Sequence, residues 1–373
     1  MAARWNPEQL SAILSSTRPS LNRASVDPSF PSLSRRDEDA IRDTDPSSTE
    51  GRILCTFQDL LTHRTSPRAA ADILGSLTST ECSSTKDDAS LLWGAICHRG
   101  ETWPEAELGI LADLVVELAK LPYALPAYPY EGDEPVQGSS SFTDLPGFGH
   151  ELIGHLQGKN RNDPCAENSS TLTTFALGPK VYSLLFMTSE ARMDARLRTD
   201  ESMTAGIVSG DVVLAVRDLY RNINTFAALL SYHYIRGSLP LKNVDFRGMA
   251  SYPIIGALEH EVSLNKVTQH PDGSATMSDQ DWAAFRSSQP SIELPAATQW
   301  LSLIGHDLYD SLMDAPAPAG PLWKTHGGED KITIKRWQFW QNRLRYLATS
   351  DTILGDGIKM PCKRAADRMD EAA

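Results

Sequence analysis

Positive charge is scarce in this 373-residue chain. Its 35 Lys and Arg stand against 48 Asp and Glu, a formal net charge of −13. Such a surface repels phosphate backbones and anionic headgroups, so no nucleic-acid partner is expected. Long apolar runs are missing too: no stretch approaches the roughly 20 residues that cross a bilayer, which argues against membrane insertion. The start, Met1-Ala-Ala-Arg-Trp-Asn-Pro-Glu8, lacks the apolar segment of a secretory signal. Cysteine is limited to five residues (Cys55, Cys82, Cys97, Cys165 and Cys362), an odd count without C-x-x-C spacing. That pattern fits a reduced, cytoplasmic setting better than a disulfide framework. Alternating Val, Ile, Thr and Tyr, the mark of strands, is nearly absent, with Lys331-Ile-Thr-Ile334 the one weak case. A P-loop and an Asp-rich magnesium motif are also lacking, and Gly147-Phe-Gly149 with Gly154 misses the dinucleotide spacing, so no cofactor is expected.

What is present is helical periodicity. Residues 1–50, rich in Ser, Pro, Arg and Asp, read as a poorly ordered N-terminal arm. From Gly51 to His63, Ile53, Leu54, Phe57, Leu60 and Leu61 recur at helical spacing. Pro67 suits the first turn of a second helix, and Asp87 or Asp88 can cap a third. Pro104 opens a helix to Lys120 with a stripe of Leu108, Leu111, Leu114, Val115 and Leu118. Further helices are expected around His150, over 171–199, 211–236, 253–266, 278–286, 295–313, 333–349 and 357–371. Apolar content of 41% supports a sizeable core. The expectation is an all-α fold: one multi-helix, bundle-like domain over 51–373.

Three of the eight tryptophans cluster near the C-terminus, in Gly320-Pro-Leu-Trp-Lys324 and Arg336-Trp-Gln-Phe-Trp-Gln-Asn-Arg343. Trp337, Trp340 and Leu344 share one helix face, and Arg336 and Arg343 are expected to turn toward its edge. Together with Leu91-Leu-Trp93-Gly-Ala-Ile96, Leu145-Pro-Gly-Phe148-Gly149, Asn222-Ile-Asn-Thr-Phe-Ala-Ala228, Ala257-Leu-Glu259 and Lys363-Arg-Ala-Ala-Asp-Arg-Met369, these blocks resemble a fungal all-helical family of unknown function. The resemblance spans roughly residues 50–372 and implies a helical fungal protein, with relatives that look like products of specialised-metabolite gene clusters.

A second resemblance is local. His150-Glu-Leu-Ile-Gly-His155 is similar to the His-Glu-x-x-Gly-His signature of the dipeptidyl-peptidase III class of zinc peptidases, and Ser189-Glu190-Ala-Arg192-Met-Asp194 to its later ligand stretch. It implies His150, His155 and Glu190 as zinc ligands, Glu151 as general base, and Asp194 orienting His155. Helix geometry opposes this: five residues apart, the two imidazoles point ~140° away from each other. No bound metal is therefore the expectation, with the zinc hydrolase kept as an alternative.

The remaining candidates have a packing reading and a binding one. Trp93, Phe148, Trp300, Trp337 and Trp340 sit at core positions of helices, and Asn224 lies within an apolar one beside Phe226. As a binding set they would line a helical pocket for an apolar metabolite, with Asn224 bonding a carbonyl. His233, between Tyr232 and Tyr234, is a possible acid–base group. The expected function is a cofactor-independent enzyme of fungal specialised metabolism that holds an apolar polyunsaturated intermediate and promotes its cyclisation (pericyclic, Diels-Alder-like) or isomerisation. A non-catalytic helical binding protein is the third reading.

Overall fold

The computed structural model describes residues 46–78, 87–122, 124–125, 140–145, 147–157, 210–239, 244–260, 268–269, 275–276, 290–349 and 356–371. Of the expected arm over 1–50, residues 1–45 lie outside the described residues, as do the helices expected over 171–199 and 278–286 and Glu190, Arg192, Asp194, Cys82 and Cys165; residues 46–50 are described and lead into a helix that already begins at Thr49. What is described is all-α. The helices are α1 (Thr49–Leu61), α2 (Pro67–Thr78), α3 (Asp87–Thr102), α4 (Leu108–Leu118), α5 (Phe148–Gln157) and α6 (Gly210–Ile235). They continue with α7 (Ser251–Leu258), α8 (Pro290–Leu312), α9 (Pro321–Thr325), α10 (Ile334–Thr349) and α11 (Asp356–Asp370). Strand structure among the described residues is limited to two antiparallel pairs of two-residue strands, at 124–125 with 140–141 and at 268–269 with 275–276. The weak strand signal at Lys331 ends as a single bridge to Pro316.

The chain divides into two compact units. The first holds α6 as far as Tyr232 and everything described from Asp245 onward; the second holds α1 to α5 and the short segment from His233 to Val244. In the second unit, Ser48 caps α1 by accepting from Gly51 N at 3.0 Å, and Ser66 does the same for α2 through Ala69 N at 3.2 Å. Their apolar faces, with Ile53, Phe57, Leu60, Ala70 and Leu74, are buried together with the stripe of α4. The helix expected from Pro104 begins instead as a 3-10 turn over Glu105–Glu107, because Pro104 itself is extended (φ −54°, ψ 139°).

In the first unit, α7, α8, α10 and α11 pack together with a 3-10 turn at Arg247–Ala250. The helix expected to reach Lys266 ends at Leu258. Glu259 leaves it because both ends of that residue are engaged elsewhere. Its carbonyl accepts from Leu322 N at 2.8 Å, and its side chain enters the core.

Arg336 is the clearest correction to the sequence reading. It does not turn to the edge; it is 0% exposed, as is Glu259, and the two form a bidentate pair. Arg336 Nε donates to Glu259 Oε1 at 2.6 Å and Nη2 to Oε2 at 3.0 Å. The remaining guanidinium hydrogens reach the carbonyls of Ala317 (2.8 Å), Pro318 (2.7 Å) and Lys331 (3.4 Å). Trp340 Nε1 donates to Oε1 at 2.6 Å and Gly320 N to Oε2 at 2.7 Å, so the carboxylate accepts four bonds. A buried ion pair is tolerable only when every donor and lone pair is met, as here. Gly320 is required by proximity: a Cβ there would stand 2.5 Å from Glu259 Cβ. The blocks around Glu259, Gly320 and Arg336 thus converge on one carboxylate. Arg343 stacks over Tyr346 at 5.2 Å from the ring centroid.

Candidate functional site

The site with the most chemistry sits in the second unit, where α3 and α5 pack. Its entry is a tight turn. Leu145 and Gly147 both have positive φ (43° and 79°), and Leu145 N and Phe148 N bond the carbonyls of Phe142 and Leu145. Gly147 suits that conformation; for buried Leu145 it stores strain of about 1–2 kcal/mol. The turn starts α5 at Phe148, which buries its ring against Trp93 of α3 (centroids 5.4 Å), while Phe142 meets the same indole edge-on at 6.0 Å. Two sequence candidates, Trp93 and Phe148, are therefore brought together, both fully buried.

Along α5, Glu151 and His155 are four apart and share a face. Along α3, Trp93, Cys97 and Glu101 repeat at the same spacing, with His98 beside them. Across the pair, His155 Nδ1 lies 2.5 Å from Glu101 Oε1, and His155 Nε2 lies 3.4 Å from Glu151 Oε1. Glu101's other oxygen is 4.0 Å from His98 Nδ1. Side-chain exposure rises along the chain of groups, from 2% for Glu101 through 11% for His155 to 27% for Glu151. Burial alone would depress the imidazole, but the Glu101 charge and the hydrogen bonds from Glu101 and Glu151 lift its pKa to about 10. At neutral pH it is an imidazolium that donates from both nitrogens. The dipole of α5 assists, with Glu151 in its first turn and His155 in its last. Cys97 is an inert thiol here: burial, then the Glu151 and Glu101 charges, push its pKa well up.

This arrangement bears on the zinc alternative. His155 is held between Glu101 and Glu151, His150 is on the exposed side of α5, and Glu190 lies outside the described residues. Among the described residues no group of three or more His, Cys, Asp or Glu side chains is placed to hold a metal ion. Of the peptidase-like hexapeptide, Glu151 and His155 form the polar contact with α3, through Glu101, while Leu152 is buried in the core. Sequence reasoning missed Glu101 and His98. The i, i+4, i+8 continuation of the Trp93 stripe through Cys97 points to Glu101, while His98 lies off that series.

The other four candidates belong to the first unit. Asn224 of α6 is buried, accepting from Trp300 Nε1 at 2.9 Å and donating to the Tyr220 carbonyl at 2.8 Å. The amide thus ties α6 to α8. Trp300→Phe should lose about 1–3 kcal/mol of unfolding free energy, because Asn224 Oδ1 is then left buried without that donor. Urea denaturation measures it, and a loss under 0.5 kcal/mol would contradict the pairing. Trp337 meets Tyr309 of α8 edge-on at 5.3 Å and Trp340 at 5.9 Å. All three indoles are buried, Trp340 through its bond to Glu259. His233, in the second unit, faces Asp113 at 3.5 Å; burial outweighs that charge and lowers its pKa.

No helix among the described residues is long and apolar enough to cross a membrane. Neither a curated protein nor a solved structure matches the chain. One family model does, over residues 93–344, from Trp93 of α3 to Leu344 of α10. That span takes in the α3–α5 site and the Glu259 clamp, and by it the chain belongs to the family described as "Protein of unknown function (DUF3632)".

Proposed function

We propose that this chain is a cofactor-independent enzyme of fungal specialised-metabolite biosynthesis that isomerises or cyclises a neutral, apolar, polyunsaturated intermediate by proton transfer at Glu151. The chemical part rests on one observation, the graded chain from buried Glu101 through His155 to partly exposed Glu151. The metabolite class rests on the resemblance of the sequence blocks. In this reading Glu151 takes a proton from a carbon next to an unsaturated carbonyl and returns it to another carbon, shifting a double bond. One proton leaves and one is returned, so no oxidant or co-reactant is needed. His155 fixes Oε1 of Glu151, and Glu101 fixes His155. Two carboxylates and one imidazolium leave a formal charge of −1, which disfavours anionic substrates.

The test does not require the natural substrate. β-Ionone, a neutral polyene ketone, is incubated with the protein in D2O, and deuterium entering its carbon acids is followed by NMR. The wild-type chain should accelerate exchange over buffer, and Glu151→Gln should lower that rate about a hundredfold, the usual worth of a positioned base. Binding of the ketone, seen as a rise in melting temperature, without Glu151-dependent exchange would point to the non-catalytic binding protein instead.

A further inference from the structure

We infer that Glu101 is a positioning residue that makes this site indifferent to pH across the neutral range: buried behind His155, it holds the imidazole charged, so that the neighbour of the base does not titrate there. The inference rests on the reading of Glu151 as a base. A histidine beside a catalytic carboxylate is ordinarily a pH switch, since an unperturbed imidazole gains and loses its proton near pH 6.5. Each such change would alter the charge next to Glu151, and with it the strength and placing of the base.

Two features of Glu101 run against ordinary helix energetics. Glutamate is almost never fully buried unless paired, and Glu101 is 2% exposed. It is also the second-last residue of α3, where the helix dipole disfavours a carboxylate. A cation close to Oε1 offsets both, and His155 Nδ1 stands there at 2.5 Å. The ring is engaged from its other side as well, by Glu151 Oε1 at 3.4 Å from Nε2. A neutral imidazole has one N–H and serves one carboxylate; the charged ring serves both. Of the two contacts, that with Glu101 is shorter and buried, whereas Glu151 is partly exposed and screened by solvent. Burial opposes the charge on His155, and the Glu101 charge and hydrogen bond come next in size, ahead of those of Glu151. Other titratable groups complete the surroundings among the described residues. Cys97 of α3 is a neutral thiol, His98 of α3 faces the far oxygen of Glu101 at 4.0 Å, and His150 lies on the exposed side of α5. Arg99 of α3 lies over the Phe57 ring of α1, 6.0 Å from its centroid. Glu101 is thus the group whose charge decides whether His155 keeps its proton.

Two readouts on the full-length chain test this, one of them without any substrate. The first follows the ring-proton NMR signals of the nine histidines from pH 5.5 to 9.5, with His155→Gln showing which signal belongs to His155. In the wild type His155 should stay charged to about pH 9, and in Glu101→Gln it should titrate at least about two pH units lower, within the usual effect of a close opposite charge. The second reads deuterium exchange into β-ionone against pH. Between pH 6 and 9 the wild-type rate, corrected for buffer, should vary less than about twofold. The Glu101→Gln rate should change at least about fivefold over the same range, with its midpoint at the titration of His155. Glu101→Asp keeps the charge one methylene farther off, so its midpoint should fall between the two. It also supplies the comparison if far-ultraviolet circular dichroism shows that Glu101→Gln does not fold. A His155 signal that titrates as in the wild type in both variants overturns the inference. So does a rate lowered equally at every pH, the mark of a merely structural role. A signal that moves with Glu101, together with exchange that ignores Glu151→Gln, overturns instead the reading of Glu151 as a base and leaves Glu101 in a structural ion pair.

Discussion

Glu259→Gln should lower the unfolding free energy by about 3–5 kcal/mol, the usual cost of leaving one partner of a buried ion pair uncompensated. Glutamine matches the volume of Glu259, so the loss is not a cavity effect. Its amide would bring two N–H donors into a space already filled by donors from Arg336, Trp340 and Gly320. The Arg336 charge, 0% exposed, would then face carbonyl dipoles and the Trp340 ring, whose centroid is 5.5 Å away, with no counter-charge in the pair. Urea denaturation of the full chain is the measurement, with the slope checked for two-state behaviour. Arg336→Met should cost a similar amount, since it strands the carboxylate. The Glu259→Leu/Arg336→Met pair should lose clearly less than the two single changes added together, because neither charge is then left alone. Additive losses, or a Glu259→Gln effect under 1 kcal/mol, would show that the pair is not closed in solution.

The second large effect is a dependence of stability on alkaline pH. His155 has a pKa of about 10 in the folded chain against an ordinary value of 6.5. A group raised on folding contributes fully below its unfolded pKa and loses that contribution as pH climbs through the folded value. From about pH 6.5 upward, the unfolding free energy should fall by roughly 1.4 kcal/mol per pH unit, toward a total on the order of 5 kcal/mol. Up to pH 8.5 that slope belongs chiefly to His155. Above it, Cys97 and Cys362 add to the loss, since burial pushes both thiols up and the unfolded chain ionises first. His155→Gln should be less stable than the wild type at pH 6.5, and the gap should close with rising pH. Parallel curves for the two proteins from pH 6.5 to 8.5 would rule out a buried imidazolium between Glu101 and Glu151.

Helix positions were the legible part of the sequence, because amphipathic periodicity is local. The boundaries of α1, α2, α6, α10 and α11 fall within about two residues of where apolar spacing and capping residues put them. Glu259 and Arg336 were not legible as partners. They stand 77 residues apart, no local period links them, and buried arginine is rare enough that the edge is the natural expectation. For the same reason the sequence shows Asn224 as an amide within an apolar helix but not that its partner is Trp300, 76 residues on. At the site, Glu151 and His155 stand out through the likeness of their hexapeptide to a zinc-peptidase signature. Glu101 did not, since a glutamate near the end of α3 reads as a solvated charge. Its burial against α5 depends on the turn at Leu145, which a sequence shows only as a proline and a glycine.

The clamp at Glu259 also has a temporal meaning. Its carboxylate gathers donors from positions 61, 77 and 81 residues further along the chain. None of these bonds helps until the long intervening segment has closed, so they belong to the late part of folding. Interactions absent from the transition state act mainly on the unfolding rate. The Glu259 contacts should therefore set how long the first unit survives once folded, through slow opening and slow proteolysis, and leave the speed at which it forms nearly unchanged.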